Sequence, residues 1–160
     1  MKVKTSRFGE IEVEEKNILE FKQGLFAFDH LKKFVLLDIL ENPAFKWLQS
    51  LEDPEITFLL VDPFLIKTDY SLELADSLQD ELQIEKKEDV LVYTTVTVPK
   101  SGFKDATTNL VGPIIINWKK KRGKQVILEQ EGLSIKYPLF SQNTVKMSVR
   151  KSSKKASCGG

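Results

Sequence analysis

Cysteine and histidine are almost missing from this chain, and each scarcity removes a class of chemistry. Cys158 is the one cysteine and His30 the one histidine in 160 residues. A single thiol forms no internal disulfide, and Cys/His metal sites need several ligands. A Ser-His-Asp or Cys-His nucleophile would have to be built around His30, which the sequence places among turn residues. Cys158 has no base near it in sequence. It is expected to be an exposed, inert thiol in a Cys-Gly-Gly ending. No apolar run approaches the roughly 20 residues that cross a bilayer. Met1-Lys2-Val3-Lys4 opens into alternating residues and not into the continuous apolar stretch of a signal peptide. A cytoplasmic protein is expected. The glycines form no phosphate-cradling motif. No cofactor, metal or catalytic residue is expected.

What is present is ordinary for a folded protein. Apolar residues make up 41% and charged residues 29% of the chain, unlike a disordered segment. The net charge of +1 conceals an asymmetry. Residues 141–160 hold Lys146, Arg150, Lys151, Lys154 and Lys155 and no acid. The first 140 residues are left with 19 of the 24 basic residues against 23 acids, a charge of −4. Such a body is no general nucleic-acid binder, because those present a basic face. The composition divides the chain into a domain over 1–140 and a basic, disordered tail over 141–160.

Period-two alternation dominates. Val3 and Thr5, then Ile11 and Val13, flank the turn Arg7-Phe8-Gly9 and read as a hairpin. Phe34–Leu37, Trp47–Ser50 and Thr57–Val61 read as strands, the last one ended by Asp62-Pro63. From Val90 to Val98, eight of nine residues are β-branched or aromatic, the strongest strand signal in the chain. Ile114–Ile116 and Val126–Leu128 read as two more strands. They are joined by the Lys119–Lys124 loop, in which Gly123 is able to take a positive φ. Ile135, Tyr137 and Leu139 alternate as a last strand. Leu74, Leu78 and Leu82 make one apolar helical stripe, with Ser71 as N-cap. The expected fold is mainly β: a small closed or nearly closed barrel or sandwich of antiparallel strands with one short helix.

Two charged features stand out. Between Thr68 and Glu85 the acids Asp69, Glu73, Asp76, Asp80, Glu81 and Glu85 occur with no intervening Lys or Arg. Solvated helices ordinarily mix both signs. A uniformly acidic run either solubilises a surface or docks a basic partner. The second feature is Lys119-Lys120-Lys121-Arg122, a basic hairpin tip that either keeps a turn soluble or touches RNA. Trp47 and Trp118 are expected in the core or packed on a sheet. Phe26, Phe28, Phe45 and Phe64 adjoin turn signals, where an exposed aromatic would serve as an interface anchor.

Three ordered segments together resemble the FliW flagellar assembly factors of bacteria. The first runs Phe45-Lys-Trp47-Leu48-Gln49-Ser50, then Asp53-Pro54, then Phe58-Leu-Leu-Val61-Asp62-Pro63. The second is Thr108-Asn109-Leu110-Val111-Gly112-Pro113-Ile114-Ile115-Ile116-Asn117. The third is Gly123-Lys124-Gln125-Val126-Ile127-Leu128. The resemblance implies a small, non-catalytic, β-barrel-like cytosolic protein with two partners. Such proteins bind flagellin before export. They also bind the translational repressor CsrA and stop it silencing flagellin mRNA. On that reading Asp69, Glu73, Asp76, Asp80 and Glu81 are the partner-binding residues, facing a repressor whose RNA-binding surface is basic. The motif residues Trp47, Gln49, Asp62, Pro63, Asn109, Pro113 and Asn117 are expected mostly to maintain the barrel. The alternatives are an RNA-binding module using Lys119–Arg122 and the tail, and a small hydrolase with a buried acid pair.

Overall fold

The computed structural model describes residues 1–140. Expectations for Cys158 and for the 141–160 tail fall outside the described residues. A first hairpin pairs β1 (Lys2–Thr5) with β2 (Gly9–Glu12). Gly9 takes φ +70° at its turn, a conformation that costs glycine little. The remaining strands are β3 (Leu19–Glu20), β4 (Lys33–Asp38), β5 (Phe45–Ser50), β6 (Thr57–Val61), β7 (Val90–Thr97), β8 (Thr107–Thr108), β9 (Ile114–Asn117), β10 (Arg122–Gln125) and β11 (Tyr137–Pro138). The order β7-β6-β5-β4-β3-β10-β9, with β9 pairing back on β7, closes a seven-stranded barrel. All of its pairings are antiparallel except β10–β3, which is parallel. Closure pairs each barrel strand on both sides over part of its length and leaves little open edge to invite aggregation. Strands β8 and β11 extend the sheet outward from β7.

Alternation decides what fills the barrel. Phe21, Phe34, Leu48, Leu60, Ile114 and Ile116 point inward and are almost completely buried. Phe21 and Phe34 meet edge to face at 5.4 Å. Ile115 points the other way yet is equally buried, because a helix covers it. That is why Ile114–Ile116 reads as an unbroken apolar run.

Several elements differ from the sequence expectation. The described residues form two short α-helices, α1 (Pro63–Ile66) and α2 (Asp76–Glu81), where one was expected. Helix α2 starts after Ala75, whose side chain makes no capping bond, so Ser71 is no N-cap. Residues 71–75 instead form an extended strap. Leu72 and Leu74 turn toward the barrel while Ser71, Glu73 and Ala75 face out. Strand β10 covers Arg122–Gln125, and Val126–Leu128 lies beyond it. Val126 and Leu128 still donate to the carbonyls of Pro113 and Val111. The regular ladder stops there because Pro113 has no N–H to return. Gly123 lies inside β10, and Lys121 takes the positive φ, +59°. Glycine is needed at 123 because a Cβ there would sit 2.5 Å from the Phe21 ring. Of the last predicted strand only Tyr137–Pro138 pairs. Ile135 is exposed and Leu139 is buried.

Candidate functional site

The strap and α2 lie across the outer face of β7 and β9. Leu78 and Leu82 are buried against Ile115, with Leu72, Leu74, Ile84, Val90 and Val92 packed around them. Burying each leucine contributes about 1.5–3 kcal/mol. That burial holds a helix of six residues, far too short to persist alone. Its C-terminus is tightly closed. Gln83 takes φ +57°, its N–H donates to Asp80 C=O, and Ile84 N–H donates to Gln79 C=O at 2.8 Å. This paired closure satisfies carbonyls that a helix end leaves open. The strap is pinned by Tyr70, which is buried and donates its hydroxyl to Leu110 C=O at 2.8 Å. Burial pushes the Tyr70 phenol up to about 12.

Glu73, Asp76, Asp80 and Glu81 are exposed on this strap and helix, and Asp69 is exposed just before the strap. Two cations offset this charge, one a sequence neighbour and one brought by the fold. Lys124 on β10 reaches Glu81 at 3.0 Å, and Lys67 is hydrogen-bonded to Asp69. The Lys67 ammonium holds the Asp69 carboxyl below the usual carboxylate range. Among the described residues, Glu73, Asp76 and Asp80 have no ion-pair partner within 4.0 Å. The surface is therefore acidic chiefly through those three residues, and the expectation of a purely acidic exposed face is corrected to that extent.

The motif residues are engaged inside the fold. Gln49 is fully buried, and its Nε2 donates to the carbonyls of Ser50, Pro54 and Ile56. Its Oε1 has no hydrogen-bond partner. Asp62 accepts from Phe64 N–H at 3.0 Å and caps α1, whose first residue is the buried Pro63. Asn109 accepts from Val111 and Gly112 N–H, shaping the turn before the buried Pro113. Asn117 is buried and joins two features: its Nδ2 donates to Leu82 and Gln83 C=O, and its Oδ1 accepts from Lys119 and Lys120 N–H. Trp47 is half-buried, edge-on to Phe8 at 5.7 Å, with the Arg7 guanidinium 4.6 Å from its ring centroid.

Trp118 departs from expectation. It is 48% exposed at the basic turn, with the Lys121 ammonium 4.6 Å from its ring centroid. It lies just past β9, where the chain leaves the sheet. Of the four turn-associated phenylalanines, Phe45 is buried, Phe28 is partly buried, and Phe26 and Phe64 are exposed. Tyr70, Lys67, Lys124 and exposed Leu65 also belong to this region, beyond the residues expected from the sequence. Tyr70 carried a signal, a lone tyrosine inside an otherwise polar run. Lys67 stands two residues before Asp69, so that pairing was open to a local reading; Lys124 carried no signal, because the fold alone brings it to Glu81.

The described residues contain no helix long and apolar enough to cross a membrane. The family model described as FliW protein matches residues 2–139. A flagellar assembly factor FliW from Moorella thermoacetica is 49% identical over 143 residues, covering 89% of this chain and 90% of that protein. One from Clostridium tetani is 46% identical over 142 residues, covering 89% and 97%. A crystal structure of the flagellar assembly factor FliW superposes with a TM-score of 0.82 at 41% identity, covering 89% of this chain and 99% of that one. With the family match, the identities and the structural superposition in agreement, the chain belongs to the FliW family of flagellar assembly factors.

Proposed function

We propose that this chain binds flagellin in the cytoplasm and antagonises the RNA-binding translational repressor CsrA, relieving repression of flagellin translation. It acts as a chaperone and partner switch and not as an enzyme. Occupancy by one partner lowers the amount of chain available to the other, which is mass action. The observation that carries this reading is the acidic strap and helix. Glu73, Asp76 and Asp80 are exposed and, among the described residues, have no ion-pair partner within 4.0 Å, on an element anchored by Tyr70, Leu78 and Leu82. A repressor that binds RNA presents basic surface, and complementary charge raises its association rate and specificity. Asp69 and Glu81, already paired, contribute less to docking.

Size-exclusion chromatography with light scattering tests this. Chain mixed with CsrA, and separately with flagellin monomer, should elute as a complex in each case. Elution of every component alone would end the proposal.

Exposed Trp118 beside Lys119–Arg122 favours a second reading, a single-strand RNA contact made by base stacking and phosphate pairing. It predicts RNA binding that falls steeply with salt. The hydrolase reading has less support. The crevice of about 580 Å³ beside the strap is lined mainly by Phe64, Leu72, Leu74, Ile84, Val90 and Val92, with Glu73, Glu85 and two lysines at its margin.

A further inference from the structure

Strand β7 changes neighbours along its length and, among the described residues, leaves part of one edge open. On the β6 side its ladder holds Leu60 opposite Thr95 and Val61 opposite Thr94. Beyond Val61 the chain turns at Asp62-Pro63 into α1. Main-chain groups in an antiparallel strand face its two neighbours alternately. Trp118 N–H donates to Asp89 C=O, in the register that sets Leu91 opposite Ile116 and Tyr93 opposite Ile114. Asp89, Leu91 and Tyr93 therefore bond toward β9, and Val92 points its N–H and C=O to the other side. The residue that would meet it there is Pro63, which has no N–H and whose carbonyl already accepts from Lys67. Val90 N–H is used by Lys87 C=O, and the Val90 carbonyl faces the same open side.

The space over this edge is shaped for an extended chain. Two crevices, of about 170 and about 580 Å³, share Phe64, Val90 and Val92 in their walls. Leu72, Leu74 and Ile84 supply an apolar wall opposite the strand. Phe64 is 40% exposed in this wall. The two ends differ in charge. Lys86 and Lys87 stand at the Val90 end, and Asp62 stands at the Tyr93 end. Glu73 and Glu85 on the outer wall disfavour a uniformly acidic occupant.

We propose that the open edge of β7 at Val90–Val92 is a strand-addition site for an extended segment of a partner protein. The segment lies antiparallel to β7, with apolar residues at alternate positions. A basic residue at its start meets Asp62, and an acidic residue at its end meets Lys86 and Lys87. Its main chain completes the rung at Val92, and its alternate side chains fill the crevices. The site does not depend on which protein supplies the segment, so it stands apart from the flagellin and CsrA reading.

The test uses the full chain, ¹⁵N-labelled, and a capped synthetic peptide with lysine first, valines at alternate positions and glutamate last. On saturation the Val92 amide should shift and its hydrogen exchange should slow by about tenfold or more, while Gly9–Glu12 stays unchanged. The peptide with its end charges exchanged should bind more weakly. Phe64→Arg fills the crevice without altering β7 and should weaken binding by about tenfold at an unchanged circular dichroism spectrum. Val92 exchange that stays the same at millimolar peptide would overturn the proposal. So would full affinity in Phe64→Arg.

Discussion

The Asn117 side-chain amide donates to Leu82 C=O at 2.9 Å and ties the last barrel turn to the end of the acidic helix. The same side chain bonds Gln83 C=O and, through Oδ1, the N–H groups of Lys119 and Lys120. One buried amide thus fixes both charged features of the surface relative to each other. Asn117→Ala leaves those carbonyls and amides without this partner and should cost about 2–4 kcal/mol. Asn117→Asp keeps the acceptor but loses the donor, and should destabilise as well. Urea unfolding measures the loss. Faster hydrogen exchange at Ile84 would report that the α2 terminus has loosened.

The acids should not contribute equally to repressor binding. Reversing Glu73 and Asp80 to lysine removes charge that no ion pair among the described residues offsets, and should weaken CsrA binding by about tenfold or more at low salt. Reversing Asp69 and Glu81, which already face Lys67 and Lys124, should have a smaller effect. Calorimetric titration at two ionic strengths checks both, and the Glu73/Asp80 double variant should also show a shallower salt dependence. Equal losses from the two pairs would remove the distinction drawn from the ion pairs.

Tyr70 links the strap to alkaline stability. Its phenol is raised from 10.0 to about 12 by burial. In the unfolded chain it ionises near 10. The contribution to stability is therefore complete below about pH 10 and is lost as pH rises toward 12. Burial also raises Tyr93, with Asp62 and Asp38 adding to the effect, so it acts in the same direction. Tyr70→Phe leaves Leu110 C=O without its donor and should cost about 1–2 kcal/mol at neutral pH. It should also flatten the decline above pH 10. Thermal melts of both proteins between pH 8 and 11 follow from these values.

Gly123→Ala should destabilise the barrel by about 1–3 kcal/mol through overpacking, because the new methyl meets the Phe21 ring. The cost should fall in the double variant that also carries Phe21→Leu, which a thermal-melt cycle measures.

Much of this architecture was legible residue by residue. Thr57–Val61 and the β7 run announce themselves because both faces of those strands are at least partly covered, so their apolar and β-branched residues run together. The helix was misplaced because Leu74 belongs to two patterns. With Leu78 and Leu82 it spells a helical stripe, and with Leu72 it alternates as an extended strap. The strap wins because both leucines reach the barrel only from an extended chain. Strand β10 was hidden by its polarity: Arg122-Gly123-Lys124-Gln125 buries only the glycine and the glutamine. The acidic surface was visible as composition. The pairing of Glu81 was not, since Lys124 lies 43 residues away in sequence.

The partner switch is tested most directly by displacement. Fluorescently labelled CsrA is saturated with this chain, and unlabelled flagellin monomer is added while anisotropy is followed. The account predicts a fall to the value of free CsrA as flagellin takes the chain. Anisotropy that stays at the complex value, with flagellin present in excess and competent to bind the chain alone, would contradict it.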